Sequence, residues 1–288
     1  MKRILKKIYR RIFPPPLAPL SVEPPAGKGN FVLDDLIVCN FCGTIFQRSG
    51  PDHSEFLACP YCNTIARERV AYHAMLQEIN KEHGTPPLFF NQAKEFRQIR
   101  LLECSPRFHP NRRAIYEHTL KKYVASDFDM SAHRADIQMD LTSEQHIAPF
   151  EQAFDVIICS HVLEHIPNYH TALTSLRRML ASNGLLVLQV PLLEGRYTPV
   201  TWDEFHGDNT RVYHRFGFDL VGELEPLFSN IIPVVGRLDF PITSPEIKAD
   251  KYAALAPYID QCLVIGDSMM HYSGLGMPDL CDAILARK

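Results

Sequence analysis

Two cysteine pairs are the residues whose types and spacing most directly indicate chemistry. Each pair has the form C-x-x-C, and sixteen residues separate one pair from the other. Two intervening residues allow both thiolates to face one tetrahedral Zn²⁺, and four thiolates fill its coordination shell, which predicts a structural zinc rather than a catalytic one. The alternative, a redox site, needs a single pair at the start of a helix. The predicted zinc ligands are Cys39, Cys42, Cys59 and Cys62.

Polar residues at the ends of predicted strands form a second candidate group. From about residue 98 apolar runs alternate with helical segments, which predicts βαβ units and a mainly parallel sheet. Ligands bind at the carboxyl ends of such strands, where an acid can accept hydrogen bonds from ribose hydroxyls. A series of strand-end acids favours a nucleoside with few phosphates. The residues at these ends are Glu103, Asp127, Asp129, Asp140, Ser160 and His161.

The stretch from Leu101 to Leu192 resembles the class I S-adenosylmethionine-dependent methyltransferases of the ubiquinone-biosynthesis-like group. Its most specific part is FDVIICSHVLEHIPNYHTALTSLRRMLASNGLLVLQVP, in which a strand, an H-V-L-E-H segment, a helix, a turn and a further strand follow that group's order. The cysteine module and the later FHGDNTRVYHRFGFDL are similar to bacterial methyltransferases with a zinc ribbon. The resemblance implies an α/β fold, a Rossmann-like class I methyltransferase sheet with helices on both faces, preceded by a small zinc ribbon.

The resemblance also implies S-adenosylmethionine as cofactor and a set of residues that bind it. One feature departs from the family, because the loop after the first strand reads ECSPR and lacks the usual glycines, which permit close approach of the backbone to the cofactor. Either the variant loop still binds the cofactor, or the domain is degenerate and non-catalytic. The implied residues are Glu103 near the methionine moiety, Asp127 for the ribose, Asp140 and Leu141 for the adenine, and Ser160 and His161 for the methyl group. Cys104 and Ser105 of the loop are also implied to bind the cofactor.

Catalysis is expected to need few chemical groups. Methyl transfer from a sulfonium is a direct displacement, in which the protein mainly aligns the reactants. A hydroxyl acceptor would also benefit from a base. The candidates are His161 and, from the segment after the fifth strand, His206, Asp208, Arg211 and His214, of which His161 and His206 are preferred. The segment that His161 begins could alternatively hold Mg²⁺ with Glu164 and His165, although bracing of the loop is the stronger interpretation for these two residues.

Five segments are predicted along the chain. Residues 1–13 form a basic amphipathic helix, with apolar side chains on one half of the helical wheel and six Lys or Arg on the other. Residues 14–30 form a Pro-rich linker, 31–66 the zinc ribbon, 67–97 a connecting helix and 98–288 the methyltransferase domain. A cationic amphipathic helix suits the surface of an anionic membrane. The alternatives are docking on a protein and an organelle-targeting peptide.

The charge distribution and the remaining cysteines indicate which partners and which compartment suit the protein. The formal charge is −3, and six basic residues lie in the first thirteen, so the body is acidic and lacks a basic footprint for nucleic acid. Only residues 94–122 are locally basic. Cysteines outside the pairs stand alone in apolar stretches, as buried thiols in a reducing compartment do, so we expect a cytoplasmic protein. The basic helix 1–13 would add peripheral contact with the inner face of the membrane.

Three functions are compatible with the sequence. The favoured one is an enzyme that methylates an unidentified small molecule or saccharide. The second is an RNA methyltransferase that uses the ribbon and residues 94–122 to grip its substrate. The third is a non-catalytic binding module with a degenerate cofactor loop.

Overall fold

The structure is a computed structural model, and it describes residues 36–47, 57–79, 90, 94–190, 204–205, 210–216, 220–235, 263–264 and 283–288. The strands are β1 (Leu36–Val38), β2 (Ile45–Gln47), β3 (Arg100–Cys104), β4 (Lys122–Asp127), β5 (Ile137–Gln138), β6 (Phe154–Ser160), β7 (Leu180–Gln189), β8 (Glu204–Phe205), β9 (Arg211–Val212), β10 (Asn230–Val235), β11 (Leu263–Val264) and β12 (Ala283–Arg287). The α-helices are α1 (Ala66–Ile79), α2 (Pro110–Thr119), α3 (Glu144–Ile147), α4 (Tyr169–Met179) and α5 (Leu220–Leu224). Short 3-10 helices span Lys94–Gln98, Ala148–Phe150 and Leu163–His165.

Eight strands form one sheet in the order β11-β10-β12-β7-β6-β3-β4-β5. Neighbouring strands are parallel, except that β12 lies antiparallel to both β7 and β10. The sheet starts at its centre with β3, extends through β4 and β5 to one edge, and then returns to β6 on the other side of β3. The reversal between β3 and β6 is the switch point, where an open α/β sheet binds its ligands.

The central strands are buried on both faces, as their continuous apolar runs predict. Along β6, Val156 and Ile158 belong to the core that contains α1, α2 and the cysteine knuckles. The alternate residues Ile157 and Cys159 belong to the core that contains α4 and α5. Helix α4 starts where the side chain of Asn168 accepts a hydrogen bond from a backbone N–H of the first turn. The predicted sheet with helices on both faces is therefore confirmed.

The first cysteine knuckle is part of the core of this sheet. Its third residue, Phe41, is fully buried. The Phe41 ring lies 4.8 Å from the ring of Tyr72 on α1, 4.8 Å from that of Phe90, and 5.1 Å from that of Tyr116 on α2. Aromatic packing at these distances joins the knuckle to the two helices that cover one face of the sheet.

Polar contacts between α1 and α2 strengthen this connection. Glu68 of α1 forms an ion pair with buried Arg112 of α2 at 2.6 Å, and it also accepts a hydrogen bond from the N–H of Ile65, just before α1 begins. The side chain of Asn111 donates to the carbonyl of Tyr61 in the second knuckle at 2.7 Å. These contacts hold α1 and the second knuckle against α2.

The strands and helices predicted after residue 98 are confirmed where the structure describes them. The predicted connecting segment 67–97 includes most of α1 and the start of the 3-10 helix Lys94–Gln98, while residues 80–89 and 91–93 lie outside the described residues, so the length of the connecting helix stays a prediction. The predicted basic helix 1–13 and linker 14–30 lie outside the described residues, so they stay predictions. In the part of the chain that the structure describes, no helix has both the length and the apolar character needed to span a membrane.

The predicted turn at 182–184 lies inside β7 and not before it. Strand β7 pairs at Leu180 with Phe154 and resumes at Leu185 with Val156, so the four residues between them bulge out of the sheet. A side chain on Gly184 would place its Cβ 2.9 Å from the carbonyl oxygen of Ala181, which explains the glycine at this bulge.

The packing of Phe41 predicts that this ring stabilises the domain. We expect Phe41→Ala to lower the free energy of unfolding by about 3–5 kcal/mol, because it empties a closely packed aromatic site. The matched control is Tyr61→Ala, since Tyr61 occupies the equivalent position of the second knuckle but is 38% exposed. Denaturant unfolding of the zinc-loaded protein measures both changes. Equal losses in the two variants would contradict the role of Phe41.

Candidate functional site

The four predicted zinc ligands converge on one point. The sulfurs of Cys39 and Cys62 lie 3.7 Å apart, as do those of Cys42 and Cys59, and all four lie within 4.8 Å of one another. A tetrahedron of sulfurs at about 2.3 Å from zinc has edges of about 3.8 Å. The spacing therefore fits a four-thiolate zinc site. Among the described residues no other group of three or more Cys, His, Asp or Glu converges in this way.

The two knuckles share one backbone geometry. In each, the first cysteine donates its N–H to the carbonyl of a threonine five residues later and accepts a hydrogen bond from the residue after the second cysteine. That residue has a left-handed backbone, and the threonine hydroxyl lies 3.0 to 3.1 Å from the second cysteine's sulfur. The six-residue repeat C-x-x-C-[GN]-T is visible in the sequence, but the sequence analysis missed it. Its copies are residues 39–44 and 59–64.

The environment of the cysteines favours a bound cation. Hydrogen bonds to Cys42, Cys59 and Cys62, together with burial, raise the pKa of Cys39 well above its ordinary value, so the four thiols cannot all ionise alone. An ion that binds four thiolates leaves the site net negative. Arg69 of α1 is buried beside it and donates hydrogen bonds to the carbonyls of Leu57 and Thr64. Its guanidinium would offset part of this negative charge.

Two adjoining cavities open at the carboxyl ends of the central strands. The larger, of about 730 Å³, lies along the ends of β4 and β5, and the smaller, of about 350 Å³, lies between the ends of β3 and β6 and helix α1. Six residues line both cavities, so the two meet there: Cys104, Ser105, His133, His161, His165 and Thr210. The structure brings together all eight residues implied for cofactor binding, whose role in binding stays a prediction. They are Glu103, Cys104, Ser105, Asp127, Asp140, Leu141, Ser160 and His161.

The glycine-free loop after β3 retains a backbone shape that glycine favours. Ser105 has a φ of 49°, in the left-handed region that costs an ordinary residue about 1 kcal/mol. Its N–H donates to the carbonyl of Ser126 at 2.7 Å, and its hydroxyl donates to Oδ2 of Asp127 at 2.8 Å. These two hydrogen bonds offset the cost, so the serine turns the chain and also orients Asp127.

Asp127 is buried, and both of its oxygens accept hydrogen bonds. Oδ1 accepts from the N–H of Asp129 at 2.9 Å, and Oδ2 accepts from Nδ1 of His133 at 2.9 Å as well as from Ser105. Burial alone would raise the pKa of Asp127, but these hydrogen bonds lower it on balance. Hydrogen bonding to Asp127 raises the pKa of His133. Sequence analysis missed His133, because it lies in an irregular loop where no periodicity marks it.

Glu103 is the most deeply placed of the strand-end acids, at 5% exposed. Burial raises its pKa, opposed by the charge of Arg112 and by the hydroxyl of Tyr123, which donates to Oε2 at 2.7 Å. The Tyr123 ring stacks on Tyr116 with centroids 4.3 Å apart, and the hydroxyls of Tyr116 and Tyr72 share a hydrogen bond of 2.5 Å. A buried tyrosine network therefore connects α1 with the end of β3.

The end of β6 is tied to both β7 and α1. His161 has a φ of 54°, and its N–H donates to the carbonyl of Gln189 at 2.8 Å. The Gln189 side chain accepts from the hydroxyl of Ser160 and donates to the carbonyl of Arg67 on α1. The sequence predicted α1 only as a connector, but four of its residues line the smaller cavity. They are Arg67, Glu68, Ala71 and Tyr72.

The remaining predicted residues have simpler surroundings. Oδ1 of Asp140 accepts hydrogen bonds from the N–H and the hydroxyl of Thr142, and Leu141 is buried beside it. Phe128, which the sequence analysis did not single out, is 69% exposed and lines the larger cavity, where it offers an aromatic face. The candidate base His206 lies outside the described residues.

Comparison with known proteins places this site in a family. A family model described as a methyltransferase domain matches residues 72–221. Over 45 residues the chain is 40% identical to a ubiquinone biosynthesis O-methyltransferase of Glaesserella parasuis, which covers 16% of this chain and 19% of that protein. Over 115 residues it is 30% identical to a tRNA U34 carboxymethyltransferase of Wolinella succinogenes, which covers 35% of this chain and 42% of that protein. The chain thus spans less than half the length of either relative.

A solved structure with a similar arrangement is the 1,6-didemethyltoxoflavin-N1-methyltransferase of Burkholderia thailandensis with bound 1,6-didemethyltoxoflavin and S-adenosylhomocysteine. It is 14% identical, with a TM-score of 0.43 over 77% of this chain and 78% of that one. The overlay is too loose to add to the strand order described above. The family match, in contrast, covers more than half of the chain and runs from α1 through both cavities to the start of α5. The chain therefore belongs to the methyltransferase domain family.

Proposed function

We propose that this protein transfers a methyl group from S-adenosylmethionine to a small-molecule or saccharide acceptor. The observation that carries the proposal is the arrangement of the two cavities, which meet at His161 and are lined by all eight residues implied for cofactor binding. A cavity with a polar acceptor at one strand end and apolar side chains beside it is suited to a nucleoside.

Each part of the cofactor has a chemically matching group. Asp127 has a lowered pKa and so offers an ionised acceptor for ribose hydroxyls, while Phe128 and Leu141 offer apolar surface for adenine. Glu103 lines the smaller cavity and can accept a hydrogen bond from the methionine ammonium. When bound, the cofactor supplies an electrophilic methyl group on a sulfonium sulfur. His161 is one of the side chains that line both cavities, and it is the one we assign to meet the acceptor.

We assign the four-cysteine site to a structural zinc. Its four buried thiols match the tetrahedral spacing, and four thiolate ligands leave no position for a substrate. Since Phe41 of the first knuckle packs on Tyr72 and Tyr116, the metal would fix the cover of one face of the sheet.

Charge pairing favours a small acceptor over RNA. The basic segment 94–122 would need unpaired cations to neutralise phosphates. Three of its arginines instead form ion pairs with acidic side chains of the same domain. The pairs are Arg100 with Asp155, Arg112 with Glu68, and Arg113 with Asp136, at 2.6 to 2.7 Å.

RNA remains the second candidate acceptor because one relative, 30% identical over 115 residues, is a tRNA-modifying enzyme. A steep fall of RNA affinity with salt concentration would support that candidate. Cytoplasmic location, and contact of residues 1–13 with an anionic membrane surface, stay predictions from the sequence, since that segment lies outside the described residues.

Cofactor binding is the direct test of the proposal. We expect calorimetric titration with S-adenosylmethionine to show binding by the wild type and an at least tenfold higher Kd for Asp127→Ala, because a hydrogen bond to a charged group contributes about 1.5–3 kcal/mol. The control is Glu151→Gln, which removes a half-exposed carboxylate outside the cavities, before β6. A folded, zinc-loaded wild type that does not bind the cofactor would instead support the non-catalytic binding module.

Metal content tests the zinc assignment. We expect about one zinc per purified chain by elemental analysis, and loss of that zinc in Cys62→Ser, since three thiolates leave the tetrahedral site incomplete. Cys159→Ala, which also removes a buried thiol, should keep its zinc. Chelation of the wild type should lower Tm, because the first knuckle covers the sheet. Zinc retained by Cys62→Ser at the wild-type level would refute the assignment.

The pair of Asp127 and His133 predicts that cofactor affinity depends on pH. Asp127 raises the pKa of His133, so the imidazolium stays paired with Asp127 at low pH and is lost as pH rises through that raised value. Ribose hydroxyls would compete with His133 for the same oxygen. We therefore expect the Kd for S-adenosylmethionine to fall as pH rises through the raised pKa of His133.

The variant His133→Gln should show a smaller change of Kd over the same range, while His118→Gln, a substitution at an exposed position on α2, should behave like the wild type. Calorimetry at several pH values measures each curve. Parallel curves for the wild type and His133→Gln would show that His133 does not compete with the cofactor.

A further inference from the structure

Glu164 is a buried carboxylate for which the fold has no evident structural use. It is 1% exposed, and neither of its side-chain oxygens accepts a hydrogen bond from a described residue. The loop around it is held by backbone instead, since the Glu164 carbonyl accepts hydrogen bonds from the N–H groups of Tyr213 and His214. The bracing role expected for the Glu164 side chain is therefore not what its contacts show.

Burial of such a group is costly. A carboxylate removed from water without hydrogen bonds strongly destabilises a protein unless a positive charge or a donor lies close to it. A buried polar atom without a partner in a native fold calls for an explanation, and a catalytic role is one of the recognised ones. The groups that face Glu164 decide which explanation applies.

Two imidazoles face the same oxygen of Glu164. Nδ1 of His161 lies 3.3 Å from Oε1, and Nε2 of His165 lies 3.9 Å from it. Nδ1 of His165 donates to the carbonyl of Arg211 at 2.8 Å, so His165 braces the loop as expected. These three side chains do not converge as the four cysteines do, which disfavours the Mg²⁺ site considered from the sequence.

His161 and His165 both line the two cavities and are exposed to a similar extent, but only His161 has a strained left-handed backbone. Nδ1 of His165 is already bonded to the carbonyl of Arg211, whereas Nδ1 of His161 is directed at Glu164. Strain of this kind concentrates at functional sites. With Nδ1 directed at Glu164, the nitrogen left for a ligand in the cavities is Nε2.

We propose that Glu164 holds His161 in the tautomer with its proton on Nδ1, so that Nε2 accepts the proton of a hydroxyl acceptor. This inference rests on the proposed function and names its acceptor class, an O–H group. His161 would be the catalytic base and Glu164 a positioning residue. The distance of 3.3 Å is longer than an ideal hydrogen bond, as is common for catalytic pairs before the substrate binds.

The proton balance explains why a hydroxyl is the acceptor that needs this pair. As the acceptor oxygen bonds to the methyl carbon, the electron pair of the broken carbon–sulfur bond stays on sulfur and the hydroxyl proton moves to Nε2. The imidazolium that forms is stabilised by the Glu164 carboxylate and later releases its proton to water. A neutral amine can attack first through its lone pair and lose its proton afterwards, so it depends less on a base.

The decisive measurement is the tautomer of His161, which does not require the natural acceptor. Nitrogen chemical shifts of the imidazole, with ¹⁵N-labelled protein, distinguish a proton on Nδ1 from one on Nε2. We expect the Nδ1–H form in the wild type and a mixture in Glu164→Gln. The control Glu223→Gln alters an exposed carboxylate that lies 3.1 Å from His170, and it should leave the His161 signals unchanged.

Turnover provides the second readout, with catechol and o-phenylenediamine as matched hydroxyl and amine probes. We expect methylation of catechol in preference to the diamine, and a fall in kcat of about 10²–10⁴-fold in Glu164→Gln and in His161→Gln, the range typical of a lost base. Because the two residues act as a unit, the double variant should be no slower than the slower single variant. Tm and the Kd for S-adenosylmethionine should stay near the wild-type values in Glu164→Gln.

Two results would overturn the inference. One is a wild-type His161 with its proton on Nε2, or a tautomer that is the same in Glu164→Gln, and this result is decisive whether or not either probe is methylated. The other is preferential methylation of the diamine. Both leave cofactor binding intact and so refute only the assignment of the pair, whereas a wild type that does not bind S-adenosylmethionine refutes the proposed function.

Discussion

A parallel sheet with apolar residues on both faces must be covered on both, and this requirement organises the molecule. Helices α4 and α5 cover one face, while α1, α2 and the first cysteine knuckle cover the other. Phe41 is the contact that makes the knuckle part of this cover, since its ring packs against Tyr72 and Tyr116. A metal bound by the four cysteines would fix the backbone that positions Phe41. The cysteine module can therefore support the cavities without touching a substrate.

The same cover also shapes the smaller cavity. Helix α1 begins directly after the second knuckle and passes over the ends of β3 and β6, where Arg67 and Tyr72 line the wall. Two polar contacts fix the position of α1 on the sheet. They are the ion pair of Glu68 with Arg112 and the hydrogen bond from Gln189 to the carbonyl of Arg67. A small shift of the knuckles would move this wall, because α1 has its first turn in direct contact with them.

The parts that could be predicted from the sequence depend on local pattern. Runs such as VIIC and LLVL indicate strands buried on both faces, and parallel topology then brings Asp127 and Ser160 to one edge without further information. The convergence of the four cysteines follows from their spacing alone. What could not be predicted depends on packing between distant segments: the pairing of His133 with Asp127, the bulge at Gly184, and the wall that α1 forms. The burial of Glu164 belongs to the same class, since its H-V-L-E-H context fits a solvated loop equally well.

The loop after β3 lacks glycine, and side-chain contacts there stabilise a left-handed backbone that glycine would adopt without steric cost. Ser105, His133 and His161 all line the cavities, and all three have left-handed backbones without being glycine. Each pays a steric cost that glycine would avoid, so each must be held by its surroundings. For Ser105 the holding contact is its own hydroxyl, which donates to Asp127. A glycine at this position would let the backbone approach a ligand more closely, but it would leave Asp127 with one donor fewer. The loop with Ser105 therefore allows a less close approach of the backbone to a ligand, but it orients Asp127. Its lack of glycine is not by itself a sign of lost function.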